Sequence, residues 1–258
     1  MEDEHAAAKA LPYQKVVGVL IFIAGWCKIE CQTIVSMLGQ HMHCWSKTHF
    51  DAAIRALMYC YGSRHRGICF HRGASNGVRI NELWSMSDAD LAGDETTRRS
   101  RTGKIVMLNG GAIIAKSHLQ SVIQLSTCAA EIVALADVAL DTIGLRHILD
   151  ELDHGPTRGT MIYCDNQSAL AITRQMATLR NKSKHLDMRT LKVREMQAMG
   201  FIETKYCVTR EMWADIFTKN LPAPLFIKFR DGITGYTPDL AITQQESQAL
   251  FVILFHTA

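Results

Sequence analysis

The chain has 258 residues, an apolar content of 48% and a formal net charge of +3 at pH 7. This composition is ordinary for a globular protein, and the length allows one large domain or a domain with an extension. Residues 16–27 form the longest apolar run, which is too short to span a bilayer. The acidic residues Glu2, Asp3 and Glu4 precede it, unlike the start of a secretory signal. We therefore expect neither a membrane partner nor secretion.

Eight cysteines are scattered along the chain without the spacing of a disulfide framework. Half of them lie in apolar runs, which favours reduced thiols and a cytoplasmic or nuclear location. An alternative interpretation is a zinc site, because one region contains Cys27, Cys31, His41, His43, Cys44 and His49. That region has no CxxC pair and matches no common zinc spacing, so the zinc interpretation remains a minor alternative.

Residues 1–12 are predicted to be a leader and residues 13–78 a helical segment. In residues 49–62 the apolar side chains recur at helical spacing, and Gly62 gives a stop. Turn-forming residues between Gly73 and Val78 mark the main boundary. A second domain is predicted over residues 79–231, and residues 232–258 are unassigned.

The second domain begins with three short apolar runs, at residues 83–86, 105–108 and 112–115. Asn109-Gly110-Gly111 separates the last two and predicts a hairpin. The next predicted elements are a helix over 127–152, a strand over 160–164, a helix from Asn166, a basic helix over 184–199, a strand over 201–208 and a short helix over 211–219. This order indicates an α/β fold with a mixed sheet and helices packed on it.

Four carboxylates stand in different settings along this domain: Asp88, Glu131, Asp165 and Asp215. They fall in a strand, at a helix start, at a strand end and at a helix start. Hard cations such as Mg²⁺ bind oxygen ligands. Two such ions, roughly 3.5–4 Å apart, can stabilise both the attacking and the leaving oxygen of a phosphoryl displacement. The pattern therefore suggests a two-metal nuclease site.

Each carboxylate also has a plainer interpretation. Glu131 lies on the apolar stripe of its helix, where a charge is costly unless it is paired or metal-bound, but it could simply interact with the helix dipole. Asp165 could cap the following helix instead of binding a ligand. Asp88 and Asp90 face the same way on a strand, and Asp88 is the preferred ligand. Asp215 could be a surface acid.

Basic residues concentrate in two stretches that suit a phosphate backbone. The main candidates for nucleic-acid binding are Arg180, Lys182, Lys184, Arg189, Lys192 and Arg194. The second cluster is Arg98, Arg99, Arg101 and Lys104. For each stretch the alternative is a solvated helix face.

Five motifs in order carry a resemblance over roughly residues 13–230: SDADLAGDETTRRSRTG, LSTCAAEIVALADVA, CDNQSALAIT, KSKHLDMR and WADIFTKNLP. They resemble the ribonuclease H region of copia-type LTR retrotransposon Pol polyproteins, and residues 13–78 resemble the end of the preceding reverse transcriptase. One departure is Ala129, which stands where that family usually has Glu.

The resemblance implies a ribonuclease H-like, five-stranded mixed sheet flanked by helices. It implies cleavage of the RNA strand of RNA–DNA hybrids with Mg²⁺ or Mn²⁺, with Asp88, Glu131, Asp165 and Asp215 as both catalytic and metal-binding residues. The implied partners are the hybrid, held by the basic stretch, and a reverse transcriptase domain. The alternative is a catalytically degenerate domain that binds nucleic acid without cutting it.

Overall fold

The structure, a computed structural model, describes residues 10–71, 81–174 and 184–236, without the side chains of residues 184–187. These residues divide into two compact units. One contains the described residues up to Ile68 together with Tyr236, and the other is Cys69–Gly235. The domain boundaries at 78/79 and 231/232 remain predictions. Among the described residues, no helix is long and apolar enough to cross a membrane.

The first unit consists of helices. They are α1 (Tyr13–Trp26), a 3₁₀ turn (Ile29–Cys31), α2 (Gln32–Gln40) and α3 (Lys47–Gly62). Ser46 begins α3 as its N-cap, because its hydroxyl accepts the backbone N–H of His49. Tyr13, Leu20 and Tyr59 are among the buried side chains of this unit. The predicted helical extension is confirmed.

The second unit is built on a five-stranded sheet in the order β3-β2-β1-β4-β5. Its strands are β1 (Leu83–Asp90), β2 (Arg101–Leu108), β3 (Gly111–Leu119), β4 (Thr160–Cys164) and β5 (Ile202–Tyr206). β1, β2 and β3 pair antiparallel, whereas β4 pairs parallel with both β1 and β5. Asn109 and Gly110 form the predicted hairpin turn with φ of 51° and 84°, the positive values that a two-residue type I′ turn requires.

The helices of this unit are α4 (Thr127–Glu151), α5 (Gln167–Arg174), α6 (Lys184–Ala198) and α7 (Ala223–Thr234). α4 packs on the sheet through Leu135 and Val138, which share a buried cluster with Val106 and Ile162. The predicted mixed five-stranded sheet flanked by helices is thereby confirmed. The helix predicted over residues 211–219 was wrong in type: the chain forms two short 3₁₀ turns, Thr209–Glu211 and Trp213–Phe217.

The second predicted basic cluster is divided between the surface and the interior. Arg98 and Arg99 are exposed. Arg101 and Lys104 are 2% and 4% exposed, because both lie on β2, an interior strand between β1 and β3. The Lys104 ammonium lies 3.0 Å from a carboxylate oxygen of Asp137 and 2.6 Å from one of Asp141, both on α4. A buried ammonium requires such partners. Lys104 therefore connects the sheet to α4 and is not available to a phosphate backbone.

We expect Lys104→Met to lower the free energy of unfolding by about 1–3 kcal/mol, because it leaves Asp137 and Asp141 facing each other without their cation. The estimate stays modest because both carboxylates are about a third exposed. Urea denaturation measures the change. The control is Lys228→Met, which removes an exposed pair with Glu211 and should change stability by less than about 0.5 kcal/mol. Equal effects of the two variants would contradict this role.

Candidate active site

Asp88 and Asp215 meet beside the central strands. Asp88 lies on β1 directly opposite Gly103 of β2, and Asp215 lies in the second 3₁₀ turn. Both carboxylates are 2% exposed. The Thr218 hydroxyl, one turn beyond Asp215, donates a hydrogen bond to Asp88 Oδ2. The surface-acid interpretation of Asp215 is therefore wrong.

Gly103 makes this approach possible. A Cβ atom at Gly103 would lie 2.7 Å from the carbonyl oxygen of Ala214, 2.8 Å from Thr218 Cγ2 and 2.9 Å from Phe217 Cβ. The absent side chain lets the 3₁₀ turn pack directly on β2, which places Asp215 next to Asp88. Sequence reasoning did not single out Gly103, because its role depends on a neighbour more than 100 residues away.

We expect Gly103→Ala to displace the 3₁₀ turn and to weaken binding of divalent metal at least about tenfold, because it separates Asp215 from Asp88. Titration with Mn²⁺ measures the affinity. The matched control is Gly144→Ala on α4, where a Cβ meets nothing within 4 Å and helix propensity favours alanine. The role is disproved if Gly103→Ala binds Mn²⁺ as tightly as the unchanged chain.

Glu131 reaches the site from the first turns of α4. Ser126 caps this helix, with its hydroxyl accepting the backbone N–H of Ala129 at 3.1 Å. The Glu131 side chain is 4% exposed, and the backbone N–H of Ala89 donates to its carboxylate. Its Oε2 lies 3.8 Å from the sulfur of Cys164 at the end of β4. The position of Glu131 on the apolar face of α4 therefore places its carboxylate in the interior, as the sequence predicted.

Asp165 follows β4 and is free of the capping role that the sequence left open. Asn166 caps the next helix instead, because its side-chain oxygen accepts the backbone N–H of Ala169 at 2.9 Å. The Thr209 hydroxyl donates to Asp165 Oδ2 at 3.1 Å. Asp165 is half-buried, so its carboxylate is in contact with solvent while it lies beside the buried acids.

The four carboxylates form two groups that share Asp165. Asp88, Asp165 and Asp215 each offer an oxygen within 4.8 Å of the others. Glu131, the Cys164 thiol and Asp165 form a second group with the same spacing. In the described part of the chain, no such group arises from the cysteines and histidines of residues 27–49, so the structure gives the zinc alternative no support.

This concentration of acids raises the pKa values of Glu131, Asp165 and Asp215. Burial and the neighbouring Asp88 carboxylate raise the pKa of Glu131 to about 9. Burial and Asp88 likewise raise the pKa of Asp215 to about 8. The pKa of Asp165 is raised for the same two reasons. Buried acids that repel one another in this way need cations to stay ionised together.

Lys219 is such a cation, and sequence reasoning did not assign it a role. Its ammonium lies 3.1 Å from Asp215 Oδ1 and 3.7 Å from Asp88 Oδ2. Burial lowers the pKa of Lys219, but the Asp88 and Asp215 carboxylates outweigh burial and raise it overall. The available signal was its position four residues after Asp215 within the motif WADIFTK.

We expect Lys219→Met to tighten Mn²⁺ binding by a factor on the order of five, because the ammonium competes with a metal ion for the same negative charge. Lys228→Met, whose partner Glu211 lies outside the cluster, provides the control for a lost surface charge. Isothermal calorimetry gives both affinities. Weaker binding in Lys219→Met would mean that the lysine positions the carboxylates.

The basic helix is described in part. Arg180 and Lys182 lie outside the described residues, and the side chain of Lys184 is not described. Arg194 donates to the carbonyl oxygen of Ile172 near the end of α5, and Lys192 pairs with Glu195 at 2.8 Å. Arg194 thus has a structural contact of its own. Nucleic-acid binding by these residues remains a prediction.

No protein-family model matches the chain. Curated proteins do match it, each over 88% of the chain. The Pol polyprotein of transposon TNT 1-94 from Nicotiana tabacum is 30% identical over 226 residues, and that of transposon RE1 from Arabidopsis thaliana is 28% identical over 228 residues. The Ty1-JR2 Gag-Pol polyprotein of Saccharomyces cerevisiae is 25% identical over 228 residues. The homologues of this chain are copia-type retrotransposon Pol polyproteins. The chain spans 16%, 15% and 13% of these relatives' lengths.

Solved ribonuclease H domains resemble the chain at low sequence identity. LC11-RNase H1, isolated from compost, is 15% identical with a TM-score of 0.39, covering 54% of this chain and 94% of its own. The N-terminal RNase H domain of rv2228c from Mycobacterium tuberculosis is 11% identical with a TM-score of 0.37, covering 62% and 99%. Neither TM-score reaches 0.5.

Proposed function

We propose that the Cys69–Gly235 unit hydrolyses the RNA strand of RNA–DNA hybrids with the help of divalent metal ions. The observation that carries this proposal is the convergence of four acids, remote in sequence, into two groups joined by Asp165. Homology to retrotransposon Pol polyproteins and the five motifs favour a hybrid as substrate over other phosphodiesters.

The residues fit a hard divalent cation. Their carboxylate oxygens are the ligands that Mg²⁺ and Mn²⁺ bind, and their mutual repulsion is relieved by added positive charge. We assign Asp88, Asp165 and Asp215 to one ion and Glu131 with Asp165 to a second. Bound ions of this kind stabilise charge on phosphate oxygens and lower the pKa of water.

The chain's own groups prepare this site. The hydroxyls of Thr218 and Thr209 donate to Asp88 and Asp165 and so fix the directions of both carboxylates. The Ala89 N–H does the same for Glu131. Because Asp165 is half-buried, it is where a phosphate from solvent reaches the buried acids. Arg189 and Lys192 on α6 are proposed to contact the hybrid backbone, with recognition by shape.

The first unit is proposed to pack against a reverse transcriptase domain of the same polyprotein. Its helix α1 exposes large apolar side chains, since Phe22 is 66% and Trp26 is 72% exposed. An exposed apolar face of this kind is typical of a surface that another protein covers. A cytoplasmic or nuclear location remains a prediction.

The test is cleavage of a labelled RNA–DNA hybrid by the purified chain with Mg²⁺ or Mn²⁺. We expect RNA fragments from the hybrid, no cleavage of a DNA duplex of the same sequence, and no cleavage in EDTA. Salt-dependent binding of the hybrid without fragments in either metal would replace this proposal with the catalytically degenerate alternative.

A further inference from the structure

Two cysteines of the first unit lie in contact with each other. Cys31 ends the 3₁₀ turn before α2, Cys60 lies near the end of α3, and their sulfur atoms are 3.8 Å apart. Both residues are buried, at 4% and 6% exposure. A disulfide bond requires the sulfurs to approach by less than about 2 Å more. The fold therefore holds the two sulfur atoms close to the distance at which a bond can form.

The two thiols differ in access. Cys60 lines a cavity of about 310 Å³, together with apolar side chains and with Lys28, Arg64 and Arg66. Cys31 is not among the lining residues. Because one water occupies about 30 Å³ of liquid, the cavity has room for a hydroperoxide of similar size. A small oxidant therefore reaches Cys60 first, with Cys31 directly behind it.

The surroundings also differ electrostatically. The hydrogen bond with Cys60, burial and the nearby Glu30 carboxylate raise the pKa of Cys31. The hydrogen bond that Cys60 shares with Cys31 lowers the pKa of Cys60, and it outweighs burial and the Glu30 carboxylate, which both raise that pKa. Lys28 is held beside the pair, because its ammonium donates to the carbonyl oxygens of Ser63 and Arg66. Cys60 is thus suited to be the thiolate and Cys31 to remain a thiol.

We propose that Cys60 and Cys31 form a reversible oxidation site for small hydroperoxides. The Cys60 thiolate attacks one oxygen of hydrogen peroxide, the O–O bond breaks, and the leaving hydroxide takes a proton to become water. Cys60 is left as a sulfenic acid. The Cys31 sulfur then attacks the Cys60 sulfur, the S–O bond breaks, and the hydroxyl group leaves with the Cys31 proton as water. Two thiols are oxidised to a disulfide and one peroxide is reduced to two waters.

The test uses the full chain, treated with hydrogen peroxide, alkylated, digested and analysed by mass spectrometry. We expect a peptide pair linked through Cys31 and Cys60 that dithiothreitol separates. In Cys31→Ser, Cys60 should accumulate as a sulfenic acid that dimedone traps, because its partner is missing. In Cys60→Ser, no linked pair should form at Cys31.

The matched control is Cys44, an exposed thiol of the same unit. Cys60 should react at least about tenfold faster than Cys44, although Cys44 is more accessible. Replacing Cys44 with Ser should leave the linked pair unchanged. The proposal is overturned if Cys44 is oxidised while Cys60 stays reduced, or if Cys60 links to Cys27, which lines the same cavity. Circular dichroism of each variant confirms that the comparison is between folded proteins.

Discussion

Asp165→Asn is expected to lower hybrid cleavage at least about 100-fold, the largest loss among the four carboxylates. Asp165 belongs to both groups of ligand atoms, so its replacement weakens both proposed metal positions at once. Asn keeps the size of the side chain and one oxygen but removes the negative charge. Initial rates on a labelled hybrid, measured across a range of Mn²⁺ concentrations, separate weaker metal binding from slower cleavage.

Two further variants make this result specific. Thr209→Val removes the hydroxyl that donates to Asp165 at 3.1 Å and should cost about tenfold, less than Asp165→Asn. Glu203→Gln removes an exposed carboxylate on β5 and should leave the rate unchanged. If Asp165→Asn cleaves like Glu203→Gln, the assignment of the site is wrong. If all three variants and the unchanged chain bind hybrid without cleaving it, the proposed function itself fails.

The four carboxylates could be predicted from the sequence because the pattern of their neighbouring residues marks them. A carboxylate on the apolar stripe of a helix, as at Glu131, or directly after an apolar strand, as at Asp165, is visible without tertiary structure. The sequence could not decide whether Asp165 caps the following helix, since Asp165 and Asn166 are adjacent and either can cap a helix. Only the hydrogen bond from Ala169 to Asn166 decides between them.

One physical cause underlies the errors at Arg101, Lys104 and Gly103, because the role of each depends on partners from another element of the fold. Arg101 and Lys104 look like surface charges until β2 is placed between β1 and β3 in the sheet. The acidic partners of Lys104 were present in the sequence, because Asp137 and Asp141 stand four residues apart on one face of α4. Pairing them with Lys104 requires knowing how α4 is placed on the sheet. Gly103 was hidden for the same reason, since its lack of a side chain matters only where the 3₁₀ turn crosses β2.

The second large effect expected is on stability. In the metal-free protein the pKa of Glu131 is about 9 and that of Asp215 about 8, whereas an unfolded chain has carboxyl pKa values near 4. Between these limits the folded state binds more protons than the unfolded state. The unfolding free energy therefore falls as pH rises from about 4 to about 9. The stabilising contribution of the protonated acids is complete below the unfolded pKa and is lost as pH rises through the folded pKa.

Glu131→Gln should accordingly stabilise the metal-free protein at pH 8 by at least about 1 kcal/mol, with the gain shrinking toward pH 5. The same substitution should slow hybrid cleavage, but less than Asp165→Asn does. Urea denaturation in EDTA at several pH values measures the slope, and Glu203→Gln, on an exposed carboxylate, should keep the slope of the unchanged chain. Added Mg²⁺ should stabilise the unchanged chain, because only the folded site binds it. It should stabilise the Glu131→Gln variant less, because that variant has lost one carboxylate ligand. Equal slopes for the unchanged chain and Glu131→Gln would show that Glu131 is not strained by its neighbours. Unequal slopes would mean that the ionised carboxylates repel one another in the metal-free protein and that a bound divalent cation relieves this repulsion. A site that binds metal in this way is therefore expected to destabilise the fold that holds it.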